Sequence, residues 1–311
     1  MGGRPIGLIL TDNAQERPYP KWRVLDNDGY FVQEKVKFIS AYLHGRLVLA
    51  LAYESPSRCN SVGVWRSSDR GNTWKLVLKG VGRALAADPR DPKRFYATLD
   101  HTQTCNPSLP KKDGVVTFTS IDDGETWTPT KSQSKSENPL KQGDLINAKL
   151  SVSADGSRVW SGLGEAVGFG NLYSIFYSDD HGTVWREMDQ IKIPSKAKVA
   201  DCDVCTQMYH GVCDNDEKLC SYTAVGLNPG TQGNIHFSFV ASPNDKNIIY
   251  AGGDRQPEDI TYSYIGATRY SGYLFRGDSS ITFDETDVPS PQWAQMTNKD
   301  TISAKIGRAH V

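Results

Sequence analysis

The chain has 311 residues, with 35 lysines and arginines against 36 acids and a formal charge of −1. That balance lacks the polycationic footprint of a nucleic-acid or anionic-membrane binder, and no apolar run reaches the length of a bilayer span. A chain this long holds two ordinary domains or one large repeat-built domain, and the repeats met along it select the second.

The apolar segment PIGLIL near the start is too short for a signal-peptide core, so secretion is not legible there. Residues 6–25 read as an outer pair of strands. Residues 38–53 predict an inner hairpin, and Gly63-Val64-Trp65-Arg66 with Lys75-Leu76-Val77-Leu78 an outer one, joined by RSSDRGNTW. Next, Ala87-Asp88-Pro89-Arg90-Asp91 leads into Phe95-Tyr96-Ala97, and Val115-Val116-Thr117-Phe118-Thr119 into SIDDGETW. LSVSADGSRV carries Asp155-Gly156, a favoured two-residue hairpin dipeptide, and Leu172-Tyr173-Ser174-Ile175-Phe176-Tyr177 leads into SDDHGTVW. Beyond a cysteine-rich stretch, Ala241-Ser242-Pro243-Asn244-Asp245 and Ile249-Tyr250-Ala251 repeat the inner hairpin. Gly277-Asp278 with Trp293 reads as a decayed fourth turn.

Each unit is thus four short strands, an inner hairpin followed by an outer one, with no competing amphipathic helix. This is the pattern of an all-β β-propeller with four-stranded antiparallel blades. Blades are expected at about 37–79, 81–131, 146–190 and 234–296, about four and a half in a single incomplete domain over 1–305. Residues 191–233 form a Cys-rich insertion. The ending IGRAHV resembles one reading frame of a sequencing adapter, so 306–311 is expected to be a non-native tail on a fragment.

The recurrent S-x-D-x-G-x-T-W motif resembles the Asp-box, or bacterial neuraminidase repeat. It matches fully at Ser67, Asp69, Gly71, Thr73 and Trp74 and at Ser120, Asp122, Gly124, Thr126 and Trp127. The third copy has Ser178, Asp180, Gly182 and Trp185, with Val184 in place of threonine. The motif is shared by sialidases, xyloglucan-degrading enzymes, sortilin-type receptors and photosystem assembly factors, so it implies a fold and not one activity. An aspartate repeated three times is a turn residue: its carboxylate accepts backbone N–H groups, glycine supplies a positive φ and tryptophan packs between sheets.

Resembling propellers bind ligands on the face opposite these turns. There the second strands end in Glu54, Asp100, Glu165 and Asp254. Asp100, Glu165 and Asp254 are the candidate catalytic carboxylates, since two such acids at a sugar serve as acid and base. The alternative is ordinary solvated strand ends. Arg83, Lys149 and His236 near the innermost strands, with Arg255 beside Asp254, are the basic groups to meet an anionic ligand. The Arg-Ile-Pro motif of sialidases is missing, since Arg4-Pro5-Ile6 has another order.

Cys59 and Cys105 occupy corresponding loops and are expected to bridge neighbouring blades. Cys202, Cys205, Cys213 and Cys220 read first as two disulfides in any of three pairings, placing the chain in a secreted, cell-surface or lumenal compartment. A zinc site using His210 competes, while Asp214, Asn215 and Asp216 lack the other positions of a calcium loop. The leading expectation is a propeller that binds a glycan or protein ligand, with no cofactor and no resident metal. A glycoside hydrolase and an organelle-lumen assembly factor are the alternatives.

Overall fold

The computed structural model describes residues 8–11, 13–16, 18–25, 35–41, 48–53, 62–100, 115–130, 145–165, 172–199, 201–209, 212–225, 227, 233, 236–255, 272–284 and 286–296. Among them, β1 (Leu8–Leu10) and β2 (Arg23–Leu25) pair antiparallel. Then come sheets of identical plan, each with its strands adjacent in chain order. The first holds β3 (Lys35–Ala41), β4 (Val48–Tyr53), β5 (Gly63–Ser67) and β6 (Lys75–Lys79), and the second β7 (Val81–Ala87), β8 (Phe95–Asp100), β9 (Val115–Ser120) and β10 (Thr128–Pro129). The third holds β11 (Leu145–Val152), β12 (Val159–Glu165), β13 (Leu172–Ser178) and β14 (Arg186–Glu187).

A different module follows. β15 (Lys192–Lys198), the helix α1 (Cys202–Tyr209), β16 (Val212–Asp214) and β17 (Leu219–Val225) build a three-stranded sheet in the order β15-β17-β16, carrying the one helix among the described residues. The plan of four then resumes with β18 (Ser238–Ala241), β19 (Ile248–Arg255), β20 (Gly272–Asp278) and β21 (Trp293–Gln295). Pairing of consecutive strands keeps loop-closure entropy low.

The chain forms two compact units, Met1–Gly143 with Asp179–Trp185, and Asp144–Ser178 with Arg186–Val311. In the first, Val64 packs with Phe95, Ala97, Leu99 and Phe118. In the second, Trp160, Ile175, Phe237, Ile249 and Phe275 share one buried cluster. Both faces of the central strand β13 are covered: Leu172, Ile175 and Phe176 are buried, and so are Ser174 and Ser178.

The connections from third to fourth strand carry the repeated motif. Ser67 Oγ donates to Asp69 Oδ1 at 2.8 Å and accepts the Gly71 N–H at 2.7 Å. Asp69 also accepts the Thr73 N–H at 2.9 Å and the Thr73 hydroxyl at 2.6 Å, while Trp74 Nε1 donates to the Gly71 carbonyl at 3.0 Å. Ser120, Asp122, Gly124, Thr126 and Trp127 repeat all five bonds. In the third copy the Val184 N–H reaches Asp180 at 2.8 Å, valine offers no hydroxyl, and Trp185 Nε1 turns to Thr130 Oγ1 at 3.3 Å.

The residue before each motif glycine is left-handed, with φ of 61° at Arg70, 59° at Asp123 and 58° at His181. Its carbonyl accepts a hydrogen bond from elsewhere in the first unit. Arg23 Nη2 donates to Arg70 at 2.6 Å, Arg66 Nε to Asp123 at 2.8 Å, and Thr119 Oγ1 to His181 at 3.2 Å. Gly71 itself has φ of +80°, and a Cβ there would lie 2.6 Å from Leu25 Cδ1.

Two turns differ from their sequence reading. Asp155-Gly156 sits inside a longer loop closed by Ser153 N–H to the Arg158 carbonyl at 2.9 Å, with Asp155 accepting the Ser153 and Ser157 hydroxyls at 2.6 and 2.8 Å. In the last sheet Asp278 pairs with Ile248, the register position that serine holds elsewhere, and accepts the Ser280 hydroxyl at 2.6 Å. Serine and aspartate have exchanged places, and the i to i+4 bonds of the other turns are replaced by i to i+2 bonds.

Gly71→Ala combines a left-handed φ with a clash against Leu25, and is expected to lower unfolding free energy by about 1–3 kcal/mol in a denaturant titration. Asp122→Ala is expected within the same range. Unchanged midpoints for both would remove the turns from the stability account.

Candidate functional site

The motif carboxylates spend their lone pairs inside their own turns. The Thr73 hydroxyl, then its N–H, holds the Asp69 carboxyl down at about 2. Desolvation pulls Asp122 upward, but bonds from Thr126 and Ser120 outweigh it and leave it below the ordinary carboxylate range. Permanently ionised, hydrogen-bonded carboxylates make poor general acids near neutrality.

His181 is the exception in chemistry. Its ring nitrogens both lie 3.1 Å from Arg94 Nη1, and Nδ1 lies 3.1 Å from the hydroxyl of buried Tyr96. Arg94 also meets Asp88 at 3.6 Å and Asp91 at 3.3 Å. Burial, then Arg94, pushes the imidazole below its ordinary 6.5, against the pull of Asp88, Asp180 and Asp91. A histidine neutral in the fold contributes stability that is complete above about 6.5 and is lost as pH falls through its folded value. The thermal midpoint should therefore drop between about pH 7.5 and 5.5, where carboxylates stay ionised. His181→Asn keeps a residue that tolerates the left-handed backbone and should flatten that slope; an identical slope would exclude His181 as its source.

Strand register separates the turns from the candidate acids. In the second sheet Ser120 pairs with Phe95, whereas Asp100 at the far end pairs with Val81 and Val115. In the third, Ser178 pairs with Val159 and Glu165 with Leu145. In the last, Asp278 pairs with Ile248 and Arg255 with Gly272. The second strands thus deliver Asp100, Glu165, Asp254 and Arg255 to the sheet ends away from the turns. The side chains of these four residues, and Glu54, Cys59 and Cys105 entirely, lie outside the described residues.

Of the basic candidates, Arg83 and His236 fall near the same ends, whereas Lys149 pairs with Gly162 in the middle of its sheet. Pairing in β7 steps from Gly82 to Ala84, so Arg83 is the extra residue of a β-bulge, with its side chain buried. The first and third sheets carry the same irregularity, between Val36 and Phe38 and between Leu145 and Asn147. Lys149 in β11 is held below its usual pKa by desolvation. His236, half-buried, precedes β18. Arg83 and Asp100 belong to the first unit; Lys149, Glu165, His236, Asp254 and Arg255 belong to the second.

Two contacts that the sequence does not announce tie the cysteine-rich module to this end of the second unit. Leu227, just beyond β17 and fully buried, sits against Gly253, where a Cβ would run into the Leu227 carbonyl. Buried Asn147, next to the bulge in β11, donates from Nδ2 to the Gly233 carbonyl at 2.8 Å. The exit of the module therefore touches the neighbour of Asp254 and the strand that pairs with Glu165.

Within the module, Cys202–Cys213 and Cys205–Cys220 are disulfides with Cα atoms 5.5 and 5.4 Å apart. Cys213 and Cys220 are cross-strand partners, so two cysteines one helical turn apart on α1 bind two side by side on the sheet. These pairs use all four thiols that the zinc reading required. Asp201 accepts the Asp203 N–H at 2.9 Å at the start of α1, the N-cap signal that would have located the helix.

No family model and no curated protein matches the sequence. Among solved structures, the chain is similar to the GH74 xyloglucanase of Xanthomonas campestris, at 14% identity and TM-score 0.43, over 83% of this chain and 29% of that one. It is similar to YCF48 bound to D1 peptide, at 15% and 0.39 over 90% and 58%, and to the intramolecular trans-sialidase of Ruminococcus gnavus, at 13% and 0.34 over 93% and 47%. The chain spans 29% of the length of each of the first two GH74 neighbours it matches.

Proposed function

We propose that this chain is part of an Asp-box β-propeller that binds a glycan or protein ligand where its second strands end, away from the Asp-box turns. The observation that carries the reading is the placement of Leu227 and Gly233 against Gly253 and Asn147. A disulfide-stapled module anchored there forms a wall beside Asp254, Arg255 and Glu165, and ordered insertions on a rigid scaffold are frequent binding elements. Sheets of one repeated plan, with the motif always between third and fourth strands, support the propeller reading. The two disulfides support a secreted, cell-surface or lumenal setting. Among the described residues no helix is long and apolar enough to cross a membrane.

A glycoside hydrolase is the second reading, favoured by carboxylates at corresponding strand ends; a lumenal assembly factor is the third. Hydrolysis requires two acids about 5–5.5 Å apart for retention or about 6.5–9.5 Å apart for inversion. The test is a glycan and peptide array followed by titration of the captured ligand. Asp254→Asn with Arg255→Gln should weaken binding at least about tenfold without lowering the thermal midpoint. If the chain hydrolyses its ligand, Asp254→Asn alone should abolish turnover. Equal affinity and equal turnover in the variants would exclude this end of the sheet.

A further inference from the structure

The turns at 68–74, 121–127, 179–185 and 279–292 are each met from outside by an arginine. Arg23 Nη1 donates to Asn72 Oδ1 at 2.9 Å and its Nη2 to the Arg70 carbonyl, while Arg66 Nε donates to the Asp123 carbonyl beside a 3.4 Å ion pair with Glu125. Arg158, with its guanidinium carbon 4.3 Å from the centroid of Tyr177, bonds Asn247 Oδ1 at 3.0 Å and the Ser279 hydroxyl. Carbonyls, amides and hydroxyls of this kind do not titrate, and a glutamate changes charge only around about pH 4. The third turn differs, because the group that Arg94 meets there is the ring of His181.

A neutral imidazole has one bare nitrogen to accept the Arg94 Nη1–H, and its other nitrogen can share a proton with the Tyr96 hydroxyl, 3.1 Å from Nδ1. An imidazolium has no bare nitrogen, so two N–H groups then face a guanidinium nitrogen 3.1 Å away. The ionisable groups acting on the ring are Arg94, Asp88 and Asp91 from the connection of β7 to β8, Tyr96 from β8, and Asp180 from the turn itself. Those acids are already engaged. Asp88 and Asp91 pair with Arg94, Asp88 Oδ1 also accepts the Arg90 and Asp91 N–H groups at 2.8 and 3.1 Å, and Asp180 Oδ1 accepts the Val184 N–H. Burial and Arg94 accordingly outweigh them and keep the ring neutral below its ordinary range.

Neutral contacts complete the seat of the turn: Thr119 Oγ1 on the His181 carbonyl, Trp185 Nε1 on Thr130 Oγ1, and Gly182 so near Thr130 that a Cβ would lie 2.7 Å from its Cγ2. We propose that His181 is an acid-operated latch: in mildly acidic solution its protonated ring lets go of Arg94, and residues 179–185 come away from the second sheet while the turns at 68–74 and 121–127 stay closed. The opening is local and precedes global unfolding. Ser178 pairs with Val159, whereas Glu165 pairs with Leu145 at the other end of the sheet, so the latch stands or falls independently of the ligand site.

The test is hydrogen exchange with mass spectrometry on the intact protein at about pH 7.5 and about pH 5.5, each rate divided by the intrinsic rate at that pH. Protection of 179–185 should fall at least about threefold on acidification, and that of 68–74 and 121–127 distinctly less. His181→Asn, which takes up no proton in this range, should leave protection of 179–185 the same at both pH values. Arg94→Gln, which removes the opposing guanidinium, should raise the titration midpoint of the His181 ring read by NMR. Thermal melts at the higher pH verify that each variant is folded. Unchanged protection of 179–185 in the parent protein, an equal loss in all three turns, a pH dependence that survives His181→Asn, or a ring midpoint that Arg94→Gln leaves in place overturns the proposal.

Discussion

The structure depends on one local constraint: a serine and an aspartate two residues apart close a turn whose next residue is forced into the left-handed region. At Ser67 and Asp69 the hydroxyl and carboxylate collect the N–H groups of Gly71 and Thr73, leaving the Arg70 carbonyl directed outward. Arg23 takes that carbonyl, as Arg66 takes that of Asp123 and Thr119 that of His181. The turn is therefore both a closure within its hairpin and an acceptor for a neighbouring strand. Bonds of this type contribute about 0.5–1.5 kcal/mol each, and somewhat more to a charged partner. Their repetition matters more than any one of them.

With the turn carboxylates committed to structure, the other sheet ends are where the proposed ligand site lies. Strand register alone enforces the division, because a turn after the third strand and an acid at the end of the second cannot share a sheet end in an antiparallel ladder. In the second unit the stapled module adds its own mass at the acid end, through Leu227 on Gly253 and Gly233 on Asn147. A rigid scaffold, a bulged first strand and an anchored insertion are the parts from which binding sites are commonly assembled.

Much of this was legible in the sequence because it is local. The strand runs at 63–66, 115–119 and 172–177 coincide with β5, β9 and β13, and the motif's bonds span at most four residues. What the sequence hid is long-range or depends on exchange. Pairing of Cys202 with Cys213 and of Cys205 with Cys220 needs the register of β16 against β17, which no spacing supplies. The contact of Leu227 with Gly253 joins segments without any shared pattern. The sequence marks Asp278 and Asp155 as turn residues but hides the form of their turns: serine and aspartate trade places in the last one, and the loop at Asp155 is longer than its Asp-Gly dipeptide suggests.

Hydrogen exchange on the intact protein, with and without a ligand captured from the array, tests the division of labour most directly. The account predicts new protection over residues 145–149, 227–233 and 252–255, and unchanged exchange in the turns at 67–74, 120–127 and 178–185. Protection confined to those turns, with none around Gly253 and Asn147, would contradict it.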